Sequence, residues 1–451
     1  MALDQQQWQQ WLDTGLKEHR VPGAALTVLA GGETIEVASG VLSRATGVSA
    51  TTDSLWQIGS ITKVLTATQI MQLVDAGRIG LDTTVHEVLP EFRVADADVS
   101  RRVTVRHLLT HTSGMDGDVQ VDAGRGDDAV ARYVAGLTDV VQLHPLGALL
   151  SYCNSGWVVA GRLVEVLTGQ PWDQALRRLL VEPLGLEHTV VLPEDALIHR
   201  TAVGHVTRPG ADPEPVASWG FNRPWGPANQ ITASAADVLA FARMHLDGGR
   251  NAAGDQVLSP ESVAEMRRPQ ADMPNPARRV DHLGLGWWLC DWDGRRIFGH
   301  DGNTQGQSSF LRVDPETGVA VVLLTNGRAT GALVADLFRR VFGDLAGLTV
   351  PTFSPPATAP AVDPAGAVGV YERRALRITV TAAGGGLEAV VEPHGRSGTG
   401  AAEKYGLVAV SDEVWALQSQ PGGPWGAWRF FALPDGTRCV HDGLQITPKV
   451  G

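Results

Sequence analysis

The chain has 451 residues, of which 43% are hydrophobic and 19% charged, and it carries a formal charge of −12 at pH 7. That length allows two or three units with buried cores, and the composition is ordinary for a globular protein. An acidic chain with no basic block is a poor match for nucleic acid or an anionic membrane, and no run approaches the ~18 apolar residues of a spanning helix.

The N-terminal stretch has neither the basic start nor the apolar run of an export signal, so a cytoplasmic location is expected. Residues 4–19 carry Trp8, Trp11, Leu12 and Leu16 at helical spacing and predict an amphipathic helix. Residues 23–30 and 33–39 predict two strands joined by Gly31-Gly32, a hairpin signal. A helical pattern starts at Ser60, runs through Leu65, Ile70 and Leu73, and stops near Gly77. Residues 100–280 read mostly as helix and loop, with the clearest helices at 155–169 and 234–248. Strand patterns return at 295–300, 306–313 and 318–325, followed by a helix near 330–343. The hairpin and the later strands are expected to form one antiparallel sheet flanked by helices, with the helical middle as a lobe. The fold class is α/β or α+β.

Residues 350–365 are rich in Pro and Ala without periodicity and read as a linker. Beyond them, short alternating runs at 376–381, 387–392, 407–410, 414–418 and 428–433 predict a small all-β barrel. The expected units are 1–349, the linker 350–365, and 366–451. Cys153, Cys290 and Cys439 are too scattered for a disulfide framework or a zinc site. No metal and no cofactor are expected.

Three short strings carry the chemistry. The first is Ser60-Ile61-Thr62-Lys63, the one S-x-x-K in a chain with four lysines. Residues three apart on a helix share a face. A lysine beside a serine becomes its base when desolvation lowers the ammonium's proton affinity. A surface lysine next to a capping serine is the plainer alternative. The second is Tyr152-Cys153-Asn154, in which tyrosine could relay the serine proton and Asn154 could bind a substrate amide or hold Lys63. Helix capping and packing would explain the same residues. The third is His300-Asp301-Gly302-Asn303, where Gly302 lets a substrate lie along a strand edge and the Asn303 N–H would join that of Ser60 in an oxyanion hole. A β-turn is the competing reading.

In this order the three strings resemble the motifs of the serine β-lactamase and penicillin-binding-protein superfamily: S-x-x-K, Y-x-N and K-T-G. Val21-Pro22-Gly23-Ala24, the run from His107 to Gly114, and the run from Glu182 to Leu186 support the resemblance. It implies a β-lactamase/transpeptidase-like fold, with Ser60 as nucleophile, Lys63 as first base, and Tyr152 and His300 completing the catalytic set. It also implies Asn154, Gly302 and Asn303 as substrate and oxyanion residues. His300 replaces the lysine that pairs with a β-lactam carboxylate, which weakens the case for antibiotic hydrolysis.

The β-module is similar to the lipocalin-like domain of stand-alone penicillin-binding-protein-type thioesterases. That likeness implies a peptidyl carrier protein as partner, a thioester-bound peptide with a D-configured C-terminus, and release as a macrolactam. The loop 114–128, with Asp116, Asp118, Arg125, Asp127 and Asp128, looks like that group as well. Arg438 is a candidate to reach the cleft from the barrel, its plainer reading being a surface arginine. Trp157, Trp219, Trp225, Trp287 and Trp288 are candidates for an apolar cleft wall. The competing functions are an esterase or D-amino-acid peptidase that uses water, and a non-catalytic scaffold.

Overall fold

The structure is a computed structural model, and it describes residues 4–208, 211–220, 222–276, 280–328, 330–394, 401–419 and 423–450. Helix α1 (Gln5–Glu18) starts on Asp4, whose carboxylate accepts the amides of Gln6 and Gln7. It buries Trp8, Leu12 and Leu16, each contributing about 1.5–3 kcal/mol. Strands β1 (Gly23–Ala30) and β2 (Glu33–Gly40) form the expected hairpin, with Gly31 and Gly32 both at positive φ in the turn.

Two short strands, β3 (Ala271–Asp272) and β4 (His282–Leu283), precede β5 (Trp288–Trp292), β6 (Arg295–Asn303), β7 (Ser308–Asp314) and β8 (Val319–Thr325). Among the described residues these strands make one antiparallel sheet in the order β2-β1-β8-β7-β6-β5-β4-β3. The N-terminal hairpin therefore pairs with the last strand, and the long helical segment is inserted between them. Strand β8 is buried along its whole length, as fits a strand covered on both faces. One apolar core lies between the sheet and the helical lobe. A second packs α1 and the late helix α5 (Gly331–Arg340) on the opposite face.

Inside the lobe, α2 (Thr62–Asp75) has most of its residues buried, the mark of a helix at the centre of a domain rather than on its surface. Helix α3 (Asn154–Thr168) and helix α4 (Ala235–Leu246) flank it. The helix expected from Ser60 begins two residues later, because Gly59–Ile61 form a tight turn ahead of it.

Residues 350–363 form neither helix nor strand; five prolines between 351 and 364 remove amide donors and fix φ. The chain then winds eight strands in simple up-and-down order among the described residues: β9 (Gly369–Arg373), β10 (Leu376–Ala383), β11 (Gly386–Pro393), β12 (Glu403–Ala409), β13 (Val414–Gln418), β14 (Trp425–Ala432), β15 (Arg438–His441) and β16 (Ile446–Pro448). A bridge between Tyr371 and Lys449 brings the first strand to the last, so the barrel is nearly closed around its own core. A small cluster of Leu143 from the lobe with Leu433, Cys439 and Ile446 from the barrel packs the two units together.

Candidate active site

Ser60 lies half-buried in the turn that starts at Gly59. Gly59 has φ +53°, and a Cβ there would stand 2.7 Å from the Asn303 nitrogen. Gly302 on β6 is as tightly placed, since its Cβ would fall 1.9 Å from the Ile58 carbonyl oxygen. Ser309 Oγ donates to that carbonyl at 2.7 Å. Two glycines and one hydroxyl thus press the edge of β6 against the turn that carries Ser60. The backbones of Ser60 and Asn303 are brought side by side, as an oxyanion hole requires.

Lys63, the second residue of α2, is fully buried. Its Nζ donates to Ser60 Oγ at 3.0 Å and to the Ala228 carbonyl at 2.8 Å. Burial pushes the ammonium down to about 7, against the opposing pull of Asp118. The neighbouring Cys153 thiol is itself pushed up to about 12 by burial, so it is neutral near pH 7. Asp118 is therefore the anion that matters to Lys63. A neutral amine within hydrogen-bond reach of a serine hydroxyl can take its proton.

Tyr152 reaches the same centre. Lys63 Nζ stands 4.9 Å from the centre of its ring, and the His300 ring is 6.5 Å away. His300 in turn lies against Trp288 at 4.4 Å. The turn that carries Tyr152 is pinned from two sides. His111 stacks on the tyrosine ring at 4.0 Å, accepts the Ser151 amide on its carbonyl at 2.9 Å, and accepts the Cys153 amide on Nδ1 at 2.8 Å. This imidazole is held neutral, well below its usual range, by burial and by Lys63 and His300. From the barrel, the Leu444 carbonyl accepts the Tyr152 amide at 2.9 Å, and Gln445 Nε2 donates to the Tyr152 carbonyl at 2.8 Å.

Ser60, Lys63, Tyr152, His300, Gly302 and Asn303 thus meet in one place, as the sequence strings require. Other expectations need correction. Asn154 is the first residue of α3 and not its cap, a role taken by the Cys153 sulfur. Its Nδ2 donates to Asp118 Oδ1 at 2.9 Å. Arg438 is exposed and donates to the Gly366 carbonyl within the barrel unit; it is a structural surface arginine. Trp157 and Trp287 are wholly buried in the lobe core and cannot form a cleft wall. Trp225 is also in that core, while Trp219 is half-buried and gives its carbonyl to Gln57. Trp288 lies against His300, beside the Ser60 cluster. The loop 114–128 divides: Asp116 and Asp118 turn inward to the barrel, whereas Arg125, Asp127 and Asp128 form surface ion pairs with Glu194, Arg223 and Arg132.

Sequence reading missed Arg373 and Gln445, which enter from the barrel, and the part played by His111. His111 falls within the run from His107 to Gly114, but nothing in the sequence marks which barrel residues turn toward Tyr152.

A Beta-lactamase family model matches residues 8–368. "Penicillin-binding protein 4" of Amycolatopsis lactamdurans is 50% identical over 376 residues, covering 83% of this chain and 99% of that protein. "Esterase EstB" of Burkholderia gladioli is 31% identical over 358 residues, 70% of this chain and 88% of that one. Among solved structures, SurE superposes with a TM-score of 0.80 at 28% identity, covering 99% of each chain, and a structure of SurE with D-Leu gives 0.76. The S-x-x-K serine and lysine in hydrogen-bond contact, the fold around them and these matches agree: the chain belongs to the beta-lactamase family, a family of serine-hydrolase type.

Proposed function

We propose that this protein is a serine acyl-enzyme thioesterase that releases a nonribosomal peptide from a peptidyl carrier protein as a head-to-tail macrolactam. The observation that carries this reading is the likeness to SurE over both units, barrel included, at 99% of each chain. The resemblance of the sequence to stand-alone penicillin-binding-protein-type thioesterases supplies the reaction. The SurE structure with D-Leu supports a D-configured residue at the acylating end of the peptide.

In this reading Lys63, with Tyr152, takes the Ser60 proton as Oγ attacks the thioester carbonyl. The Ser60 and Asn303 amides hold the oxyanion, each donor being worth about 3–4 kcal/mol in other enzymes. The C–S bond breaks and the carrier thiol leaves with a proton. The peptide's own N-terminal amine then attacks the ester, its proton passes by way of Tyr152 to Ser60 Oγ, and the bond between the acyl carbon and Oγ breaks to give the lactam and free Ser60. Binding the peptide folded back on itself gives the amine its advantage over water.

The test is a linear peptidyl thioester ending in a D-residue. Mass spectrometry is expected to show a product lighter than the free acid by one water, and the Ser60→Ala variant is expected to give none. Free acid as the sole product from every peptide offered would sink the cyclase reading.

A second reading rests on the 50% identity to a penicillin-binding protein: Ser60 would be acylated by β-lactams and slowly released by water. It expects a stable adduct on Ser60 with penicillin and hydrolysis alone with peptides.

A further inference from the structure

A hydrogen-bonded network runs from the barrel through Asp118 to Asn154 and the turn that carries Tyr152. Arg373, at the end of β9, is nearly fully buried, with its side chain 5% exposed. Its NH1 donates to Asp118 Oδ2 at 3.0 Å, and its NH2 lies 3.7 Å from Asp442. Gln445 Nε2 donates to the same Asp118 oxygen at 2.7 Å. The other Asp118 oxygen receives Asn154 Nδ2. The arginine main chain is fixed as well, for the next amide, that of Arg374, donates to Asp116 Oδ2 at 2.7 Å. A guanidinium buried to this degree is costly unless it faces an anion, and Asp118 is that anion.

We propose that Arg373 is a positioning residue of the Ser60 centre, supplied by the barrel: it neutralises Asp118, holds Asn154 and the Tyr152 turn through it, and so sets the charge that faces Lys63. The barrel is then a working part of the acylation machinery as well as any surface it offers to substrate. The inference rests on the reading of Ser60 and Lys63 as nucleophile and base, and not on cyclisation.

The groups facing Lys63 are Asp118 from the loop before α3, Tyr152 and Cys153 from the turn, His111 from the loop behind it, and His300 from β6. Cys153 and His111 are neutral near pH 7 by the burial described above. Those facing Arg373 are Asp118, Asp442 and Asp116. Loss of the Arg373 charge leaves Asp118 uncompensated. Its pull on the Lys63 proton strengthens, and the amine becomes free only at higher pH.

The experiment is the pH profile of Ser60 acylation in the full chain, read as the rate of covalent labelling by a fluorescent penicillin or a fluorophosphonate. The wild-type acid limb is expected near pH 7. In Arg373→Gln it is expected to move up by about one pH unit. In Arg373→Lys it is expected to stay close to wild type, because the charge is kept. In Asp118→Asn it is expected to move down. Thermal unfolding shows that each variant is folded; if Arg373→Gln is not, the direction of the Asp118→Asn shift decides. A uniform loss of rate in Arg373→Gln with an unmoved limb, or an unmoved limb in Asp118→Asn, overturns the inference while leaving Ser60 and Lys63 in their roles. A wild type that no acyl probe labels overturns that assignment and the inference with it.

Discussion

Lys63→Met is expected to slow acylation of Ser60 by orders of magnitude and to make the protein more stable near pH 6. Loss of the base removes a general-base contribution of roughly 10²–10⁴ in labelling rate. Stability moves the other way because Lys63 is fully buried and its ammonium is disfavoured there. The sign follows from linkage. The folded value is about 7 and the unfolded one is near the usual 10.5. Between them the unfolded chain holds a proton that the folded chain has released, so wild-type stability rises with pH across that window. Below pH 7 the full penalty applies, about 4–5 kcal/mol at most. Methionine fits a similar volume without charge but strands the Ala228 carbonyl, a loss of about 1–3 kcal/mol. A net gain of roughly 2 kcal/mol is therefore expected near pH 6, seen as a higher Tm, and it should shrink toward pH 10. A Lys63→Met protein that labels at the wild-type rate would remove lysine from the mechanism. A Tm difference that does not change with pH would show that the ammonium is not disfavoured in the fold.

The same trade runs through the rest of the centre. His111 takes a left-handed backbone, φ 57°, which costs a residue with a Cβ about 1–2 kcal/mol. In that conformation its ring lies under Tyr152 while its carbonyl and Nδ1 accept the amides on either side of it. Arg312, almost fully buried, pairs with Asp301 at 2.6 Å next to His300 and Trp288. Local strain and buried charge collect where the chemistry is expected, as they do when a site is preorganised rather than optimised for stability.

The sequence made the linear parts legible and the crossings between distant parts obscure. Apolar periodicity marked α1, the first hairpin and the late strands, because each buries one face or both against a continuous core. Strand β6 runs to Asn303, although His-Asp-Gly-Asn favours a turn; pairing of Asp301, Gly302 and Asn303 with Phe310, Ser309 and Ser308 outweighs that local preference. Ser60 and Lys63 could be read together because they are neighbours on one helical turn. Arg373 could not be read, since it meets Asp118 across 255 residues of chain and nothing local distinguishes it from Arg374 or Arg377. For Arg438, a candidate to reach the cleft, the plainer reading of a surface arginine holds. On β15 it faces solvent, while Cys439 and Val440 beside it are buried. Trp157, Trp225 and Trp287 lie in the core for a similar reason: large aromatic rings fill cores as readily as they line clefts.

Gly302→Ala is expected to cost at least as much activity as the loss of an oxyanion donor, roughly 10²–10³ in acylation rate. Gly302 is an ordinary strand residue on β6, so the glycine is there for the space. An added Cβ meets the Ile58 carbonyl oxygen at 1.9 Å and Ser309 Oγ at 2.4 Å. The first is main chain and cannot rotate away, so β6 must withdraw from the turn that bears Ser60. That withdrawal takes the Asn303 amide with it. Gly59→Ala attacks the same contact from the other side, with the Asn303 nitrogen 2.7 Å from the new atom and a positive φ in addition. Gly47→Ala separates the two effects, for Gly47 shares the left-handed conformation at φ +69° with nothing near its Cβ position. It should lose about 1 kcal/mol of stability and keep its acylation rate. If Gly59→Ala and Gly47→Ala lose acylation to the same degree, backbone strain and not the seating of Asn303 governs the site. If Gly302→Ala and Gly59→Ala lose it while Gly47→Ala keeps it, at a Tm still well above the assay temperature, the close approach of the two backbones is what holds the oxyanion.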